Sequence, residues 1–350
     1  MPQESDRYLV LAEGKLGIFD AKTAVSLIRY RPDAVVAVLD SVRAGETTRD
    51  VLGTPRAVPI VATVAEGLTH EPTALVIGIA PSGGMLPEPW RGVIAECLAA
   101  GMDVISGLHV FLADDPEFGA LASQHGGQLI DLRRPPERYP IAHALARETK
   151  ALRVLTVGTD CNIGKKITAL EITAEMQRRG MDARFVATGQ SGMLISGGGV
   201  VLDRVAGDFM SGFIEELVLE HGDADAVVVE GQGSIVHPAY SGVTAALLHG
   251  ALPDCMVLCH HATRQPMRAQ MTPIPPLPVW LDIYEKIVAP LHPGKIVAMS
   301  VNTHDLEAEA AERAVAECAR ISGLPAVDVY RHGPAKLVNA ILAHGKAPRA

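Results

Sequence analysis

The chain has 350 residues, 48% of them hydrophobic but only 4% aromatic, and a formal net charge of −9. That length favours two domains over one, and a core of Val, Leu, Ile and Ala suits buried parallel strands flanked by helices. The negative balance argues against nucleic acid as a partner, since a phosphate backbone calls for a basic surface, and no apolar run reaches the ~18 residues of a membrane span.

In the first half, short apolar runs fall at Tyr8–Leu11, Val35–Leu39, Pro59–Val61, Ala74–Ile79, Asp103–Ser106 and Gln128–Asp131. Helical stretches lie between several of them, such as Trp90–Ala100, which Gly101 closes in the manner of a C-cap. This alternation predicts an α/β fold with a Rossmann-like parallel sheet domain over residues 1–135. No G-x-G-x-x-G follows any of these strands, so the dinucleotide fingerprint is missing. Gly14-Lys15-Leu16-Gly17 and Ser82-Gly83-Gly84 come nearest to phosphate loops and read as ordinary turns. Met1 to Arg7 is polar, unlike a signal peptide, so a cytoplasmic protein is expected.

Prolines gather in Arg133-Arg134-Pro135-Pro136-Glu137-Arg138-Tyr139-Pro140, which marks the seam before a second domain at 136–350. A short helix over Ile141–Thr149 is predicted to link the halves. Strands are then predicted at Arg153–Val157, Ala183–Ala187, Ala226–Val229, Met256–Cys259, Ile296–Val301 and Ala326–Val329. Helices are predicted after Gly164, at Phe213–Glu220, Val243–His249 and Leu306–Ile321, and from Ala335. The Pro-rich Met271–Pro278 reads as a surface loop. This order describes a doubly wound, P-loop NTPase-like domain.

Five cysteines, Cys97, Cys161, Cys255, Cys259 and Cys318, are odd in number and irregular in spacing, which argues against a disulfide framework. Cys255, Cys259 and His260 have the residue types of a metal site, but the apolar run Cys255–Cys259 reads as a buried strand. No metal site is assigned. His260 and His261 close that strand, and adjacent residues on extended backbone point to opposite faces, so they make a poor two-histidine clamp.

The chemistry concentrates after Val157. Gly158-Thr159-Asp160-Cys161-Asn162-Ile163-Gly164-Lys165 follows a strand and opens a helix, the context of a phosphate-binding P-loop. Glycines let the backbone turn its N–H groups inward, the helix N-terminus adds partial positive charge, and Lys165 supplies a full one. Five residues, where the usual pattern has four, separate Gly158 from Gly164. The next position usually carries the Ser or Thr that holds Mg²⁺; here it is Lys166, which favours phosphates that are bound but not cleaved, such as those of coenzyme A. Thr188-Gly189-Gln190-Ser191-Gly192 follows a second strand end, and Glu230-Gly231-Gln232-Gly233-Ser234 a third. A carboxylate at the C-terminal end of a central strand sits where open α/β sheets bind ligands, and burial would raise its pKa towards that of a useful base.

Gly158-Thr159-Asp160-Cys161, Gly164-Lys165, Thr188-Gly189-Gln190, Glu230-Gly231-Gln232-Gly233-Ser234, His237-Pro238, Tyr240-Ser241-Gly242-Val243-Thr244 and His249-Gly250 together resemble a family that pairs a Rossmann-like domain with a P-loop domain and includes the D-glutamate N-acetyltransferases. The resemblance spans nearly the whole chain and is strongest from Val154 to Arg264. It implies transfer of an acetyl group from acetyl-CoA to the amine of a small-molecule D-amino acid, ahead of a partner epimerase, by what is expected to be a homo-oligomer. On that reading Gly158, Thr159, Asp160, Cys161, Asn162, Gly164, Lys165 and Lys166 hold the CoA. Glu230 or His237 serves as base. Thr188, Gly189, Gln190, Ser191, Gln232, Ser234, Tyr240, Ser241 and Arg264 are the candidates for the acceptor site. The P-loop half is also similar, more distantly, to dethiobiotin synthetase, which has the same Gly-Thr-Asp opening and uses Mg-ATP. An ATP-dependent ligase or kinase is therefore one rival reading, and a non-enzymatic CoA- or nucleotide-binding module another.

Overall fold

The computed structural model describes residues 6–17, 21–79, 81, 84–268 and 272–345. Ser82, Gly83 and Met271, which belong to two of the turns and loops read from the sequence, lie outside them. The chain forms two compact units. One comprises the chain up to Pro135 together with Gln190–Arg204; the other comprises Pro136–Gly189 and the chain from Val205 on.

The first unit is built on β1 (Tyr8–Leu11), β2 (Val35–Leu39), β3 (Ile60–Val61), β4 (Ala74–Ile77), β5 (Asp103–Ser106) and β6 (Leu129–Asp131). All pair in parallel, in the order β3-β2-β1-β4-β5-β6. Strands β1, β2 and β4 are buried at every residue, which is why they read as continuous apolar runs. The intervening helices are α1 (Lys22–Tyr30), α2 (Thr48–Leu52), α3 (Val64–Leu68), α4 (Pro89–Ala99) and α5 (Pro116–His125). Their ends are set locally. Asp115 accepts from the Glu117 and Phe118 amides ahead of Pro116, and Gly101, at φ 78°, takes the left-handed position after α4. The turn at Gly14–Gly17 is tied to Asp40, at the exit of β2. The buried Asp40 carboxylate accepts from the Gly14 and Leu16 amides at 3.1 and 3.2 Å. Amides that a phosphate would need here already face an anion of the chain.

The second unit runs β7 (Leu152–Gly158), α6 (Lys165–Arg178) and β8 (Ala183–Val186). After α7 (Gln190–Ser196), which belongs to the first unit, it continues with α8 (Gly207–Glu220), β9 (Ala226–Val229), α9 (Ser241–Ala251) and β10 (Cys255–His261). Then come α10 (Leu277–Val288), β11 (Lys295–Asn302), α11 (Ala308–Ser322), β12 (Ala326–Val327), α12 (Val329–His332) and α13 (Ala335–Gly345). Its parallel sheet has the order β12-β11-β10-β7-β9-β8, so β7 is central, between β10 and β9. Both the Rossmann-like and the P-loop architecture are thus present. Val154, Val228, Val257, Ile172, Met176, Leu337 and Ile341 belong to the aliphatic core between this sheet and its helices.

Two local expectations are corrected. The linker helix over Ile141–Thr149 is replaced by extended chain and a short 3-10 turn, Leu145–Glu148; Ala144 is left-handed (φ 60°), and the buried Glu215 carboxylate accepts from the His143 and Leu145 amides. Helix α10 begins at Leu277, inside the stretch read as loop, with Pro278 in its first turn. Residues 190–204 group with the first unit. There Ser191 Oγ lies 2.9 Å from Thr23 Oγ1, and Arg133 donates to Gln190 Oε1 at 3.3 Å and pairs with Asp203.

Candidate active site

The loop from Gly158 to Gly164 joins the fully buried β7 to α6. Its turn depends on Asn162 and Gly164 in the left-handed region, at φ 54° and 111°. Tyr284, on α10, fixes the start: its hydroxyl donates to the Gly158 carbonyl at 2.7 Å and accepts from the Gly158 amide at 3.3 Å. Lys165 opens α6 and folds back over the loop, donating from Nζ to the Asp160 carbonyl at 2.7 Å. Burial pushes the pKa of this ammonium down, so an anion placed in the loop would restore charge balance. Thr168 faces away, its hydroxyl 2.8 Å from Ser300 on β11.

Asp160 organises the loop through its carboxylate. Oδ1 accepts from the Cys161 amide at 2.7 Å; Oδ2 accepts from the Arg268 amide at 2.8 Å and from Arg264 Nη1 at 3.2 Å. The same Arg264 nitrogen donates to the Cys161 and Asn162 carbonyls at 2.8 and 3.4 Å. Arg264, a sequence candidate for the acceptor's carboxylates, is here a brace of the P-loop. His237 is fully buried. Its Nδ1 accepts from the Ala239 amide at 3.1 Å, which places the ring proton on Nε2, 3.3 Å from the Arg268 carbonyl. The lone-pair nitrogen is thus committed to backbone, and the ring stacks on half-exposed Tyr240 with centroids 4.7 Å apart.

Glu230 follows β9 directly, and Val229 pairs with Leu155 of β7, so the carboxylate lies on the strand beside the P-loop strand. The Thr188 amide donates to its Oε2 at 3.1 Å. Burial raises its pKa; Lys166 and the Thr188 and Gly189 amides oppose that rise without cancelling it. Lys166 is half-buried, and the same burial lowers its pKa while Glu230 raises it. Gly231 is obligatory: a Cβ would stand 1.6 Å from the Thr156 carbonyl oxygen, and its amide donates to Thr156 Oγ1 at 2.9 Å. Gln232 donates to both oxygens of Thr188, and its own carbonyl accepts from Thr244 on α9.

The second unit therefore brings together the loop residues, Lys165, Lys166, Thr188, Gly189, Glu230, Gln232 and the fully buried Ser234 around the C-terminal ends of β7, β8 and β9. His237, Tyr240, Ser241 and Arg264 lie along the following loops and the start of α9, whereas Gln190 and Ser191 belong to the other unit. Sequence reasoning missed Tyr284 and Arg268. A spacing of four residues from Trp280 to Tyr284 to Val288 marks the buried stripe of α10, but an amide partner such as that of Arg268 leaves no trace in residue type.

Among the described residues, Asp160, Cys161 and His237 have potential metal-ligand atoms within 4.8 Å of one another. The Asp160 carboxylate and His237 Nδ1 already accept from backbone amides, and the Arg264 guanidinium repels a cation there. Cys255 and Cys259 are buried in β10, and burial pushes the Cys259 thiol up to about 11. His260 has its pKa pushed down to about 4, chiefly by burial, with Nδ1 2.9 Å from Thr159 Oγ1.

A P-loop on a central parallel strand, with a buried carboxylate on its neighbour, defines a P-loop α/β domain, and the comparisons agree. Residues 140–338 match the P-loop domain of the domain-of-unknown-function family DUF1611, and residues 41–135 its Rossmann-like N-terminal domain. The chain is 41% identical over 338 residues to a D-glutamate N-acetyltransferase of Tritonibacter scottomollicae, covering 96% of this chain and 98% of the relative. It is 37% identical over 265 residues to one of Pseudoalteromonas, covering 75% and 79%. The crystal structure of a DUF1611 family protein from Anabaena variabilis superimposes with a TM-score of 0.92 at 38% identity, over 97% of this chain and 100% of that one. The chain belongs to this family. It is an enzyme of the acyltransferase class, an N-acetyltransferase.

Proposed function

We propose that the donor is acetyl-CoA and the acceptor the amine of a D-amino acid, D-glutamate or a close relative. The observation that carries this reading is Lys166 at the position where a P-loop that cleaves nucleotides places its Mg²⁺-holding hydroxyl, beside the buried Glu230. A second cation there suits phosphates that anchor a cofactor, and the names of the two relatives supply the acceptor class. The P-loop amides and Lys165 hold CoA phosphates. Glu230 takes one proton from the acceptor's ammonium; the amine nitrogen then attacks the thioester carbon, the new C–N bond forms as the C–S bond breaks, and the second proton lost from nitrogen passes to the departing sulfur, so that CoA leaves as the thiol. Arg264, engaged by the loop, is not assigned to the acceptor's carboxylate. Both ring nitrogens of His237 face backbone groups, which favours Glu230 as the base.

The test is thiol release from acetyl-CoA with D- and L-amino acids in the presence of EDTA. Turnover with D-glutamate and none with L-glutamate is expected. Turnover that appears only with ATP and Mg²⁺ would transfer the site to ligase or kinase chemistry, and CoA binding without turnover on any amino acid would leave a binding module.

A further inference from the structure

His261 ends β10, and His304 and Asp305 follow the end of β11, its parallel neighbour; His261 and Asn302 are register partners. One ligand atom from each of His261, His304 and Asp305 lies within 4.8 Å of the others, and the two imidazoles meet edge to face at 4.9 Å. The cluster is distinct from the P-loop chemistry and serves none of the proposed steps. We infer that these three side chains form a binding site for a divalent first-row transition metal such as Zn²⁺.

Two imidazoles and a carboxylate are the donor set of that class of ion, whereas Mg²⁺ and Ca²⁺ take oxygen ligands. A bound ion at ligand distances of about 2.0–2.2 Å draws its donors to roughly 3.4 Å from one another. His304 and Asp305 are exposed and can close that gap by side-chain rotation, whereas His261 is buried and gives the site its fixed corner. The surroundings are of the kind that orient metal ligands. His304 Nδ1 lies 3.0 Å from Asn302 Oδ1, Thr263 Oγ1 lies 3.4 Å from His261 Nδ1, and the Thr263 hydroxyl also donates to Asp305 Oδ2. The backbone on both sides is held: the Ala262 amide donates to the Asn302 carbonyl at 3.0 Å, and the Thr303 amide to the buried Asp328 at 3.0 Å. The Asn302 carboxamide in turn donates to the Ile163 carbonyl of the P-loop at 3.4 Å. An ion here cross-links the exits of β10 and β11 next to the phosphate-binding loop.

The full chain, stripped of metal, is titrated with Zn²⁺ by calorimetry and with Co²⁺ by visible absorption, alongside His304→Ala, Asp305→Ala and Cys161→Ser. One equivalent per chain is expected, with Co²⁺ ligand-field bands, and each of the first two variants weakens binding at least ~10-fold while leaving thermal unfolding unchanged. Excess Mg²⁺ does not compete. Binding equal to the parent in both His304→Ala and Asp305→Ala, loss of binding in Cys161→Ser instead, equal competition by Mg²⁺, or no binding at all overturns the assignment.

Discussion

Thr188 and Glu230 hold each other twice: the Thr188 amide donates to Glu230 Oε2 at 3.1 Å, and the Thr188 hydroxyl donates to the Glu230 carbonyl at 2.8 Å. The pair ties the exits of β8 and β9 and fixes the direction of a carboxylate whose pKa burial has raised. Orientation thus comes from Thr188 and basicity from burial, which the Thr188 amide partly opposes.

Replacing Glu230 with Gln keeps an oxygen for the Thr188 amide and removes the basicity. Turnover is expected to fall by ~10²–10⁴, the usual worth of a general base, with the melting temperature and CoA affinity retained. Steady-state kinetics and a thermal melt check this; a near-parent rate removes Glu230 from the role of base.

The pH profile follows from the sign of the Glu230 shift. A base works when ionised, so kcat declines as pH drops through the raised Glu230 pKa, above the ordinary carboxylate range. The positive charge of Lys166 opposes that rise, so Lys166→Ala pushes the acid limb to higher pH. Measured profiles that coincide for the parent and the Lys166→Ala enzyme would mean that the limb belongs to another group.

Lys165 contributes little to the fold beyond its bond to the Asp160 carbonyl, and its buried ammonium lacks a carboxylate within ion-pair range among the described residues. Lys165→Ala is expected to weaken acetyl-CoA binding by about 10-fold or more, as loss of a charge-assisted bond of ~1.5–3 kcal/mol implies. Calorimetry with and without EDTA should give the same affinity for the parent, because no step of the proposed reaction calls for Mg²⁺.

Two glycines separate steric need from convenience. Gly231→Ala drives a methyl into the Thr156 carbonyl, and overpacking of this kind typically costs about 1–3 kcal/mol, more where backbone is the obstacle. Gly242→Ala, in the first turn of α9, meets nothing within 4 Å and is expected to be neutral or to stabilise by up to ~1 kcal/mol. Urea unfolding of both variants decides; a well-folded Gly231→Ala protein would show that this backbone can move.

Much of the framework is legible in residue order. Four consecutive apolar residues, Ala226–Val229, announce a strand buried on both faces, and the glutamate after them falls at its C-terminal end. The P-loop could be placed because Gly164 and Lys165 mark where strand geometry gives way to helix. What stayed hidden depends on contacts between distant parts of the chain. Arg264 braces a loop about a hundred residues earlier, and His261 meets His304 only because β10 and β11 pair in register. Helix α10 was obscured by the prolines around its first turn, although Trp280, Tyr284 and Val288 repeat at helical spacing.

The excursion of Gln190–Arg204 has a consequence for how such a chain can be inherited. The polypeptide passes between its two units at three places, after Pro135, after Gly189 and after Arg204. A gene break after Pro135 would leave α7, with Met193 and Leu194 buried on it, in the product that lacks Thr23 and Arg133. A break at either later crossing would divide the P-loop unit itself. Fission or domain shuffling at one point therefore cannot yield two whole units, and the halves are constrained to descend together.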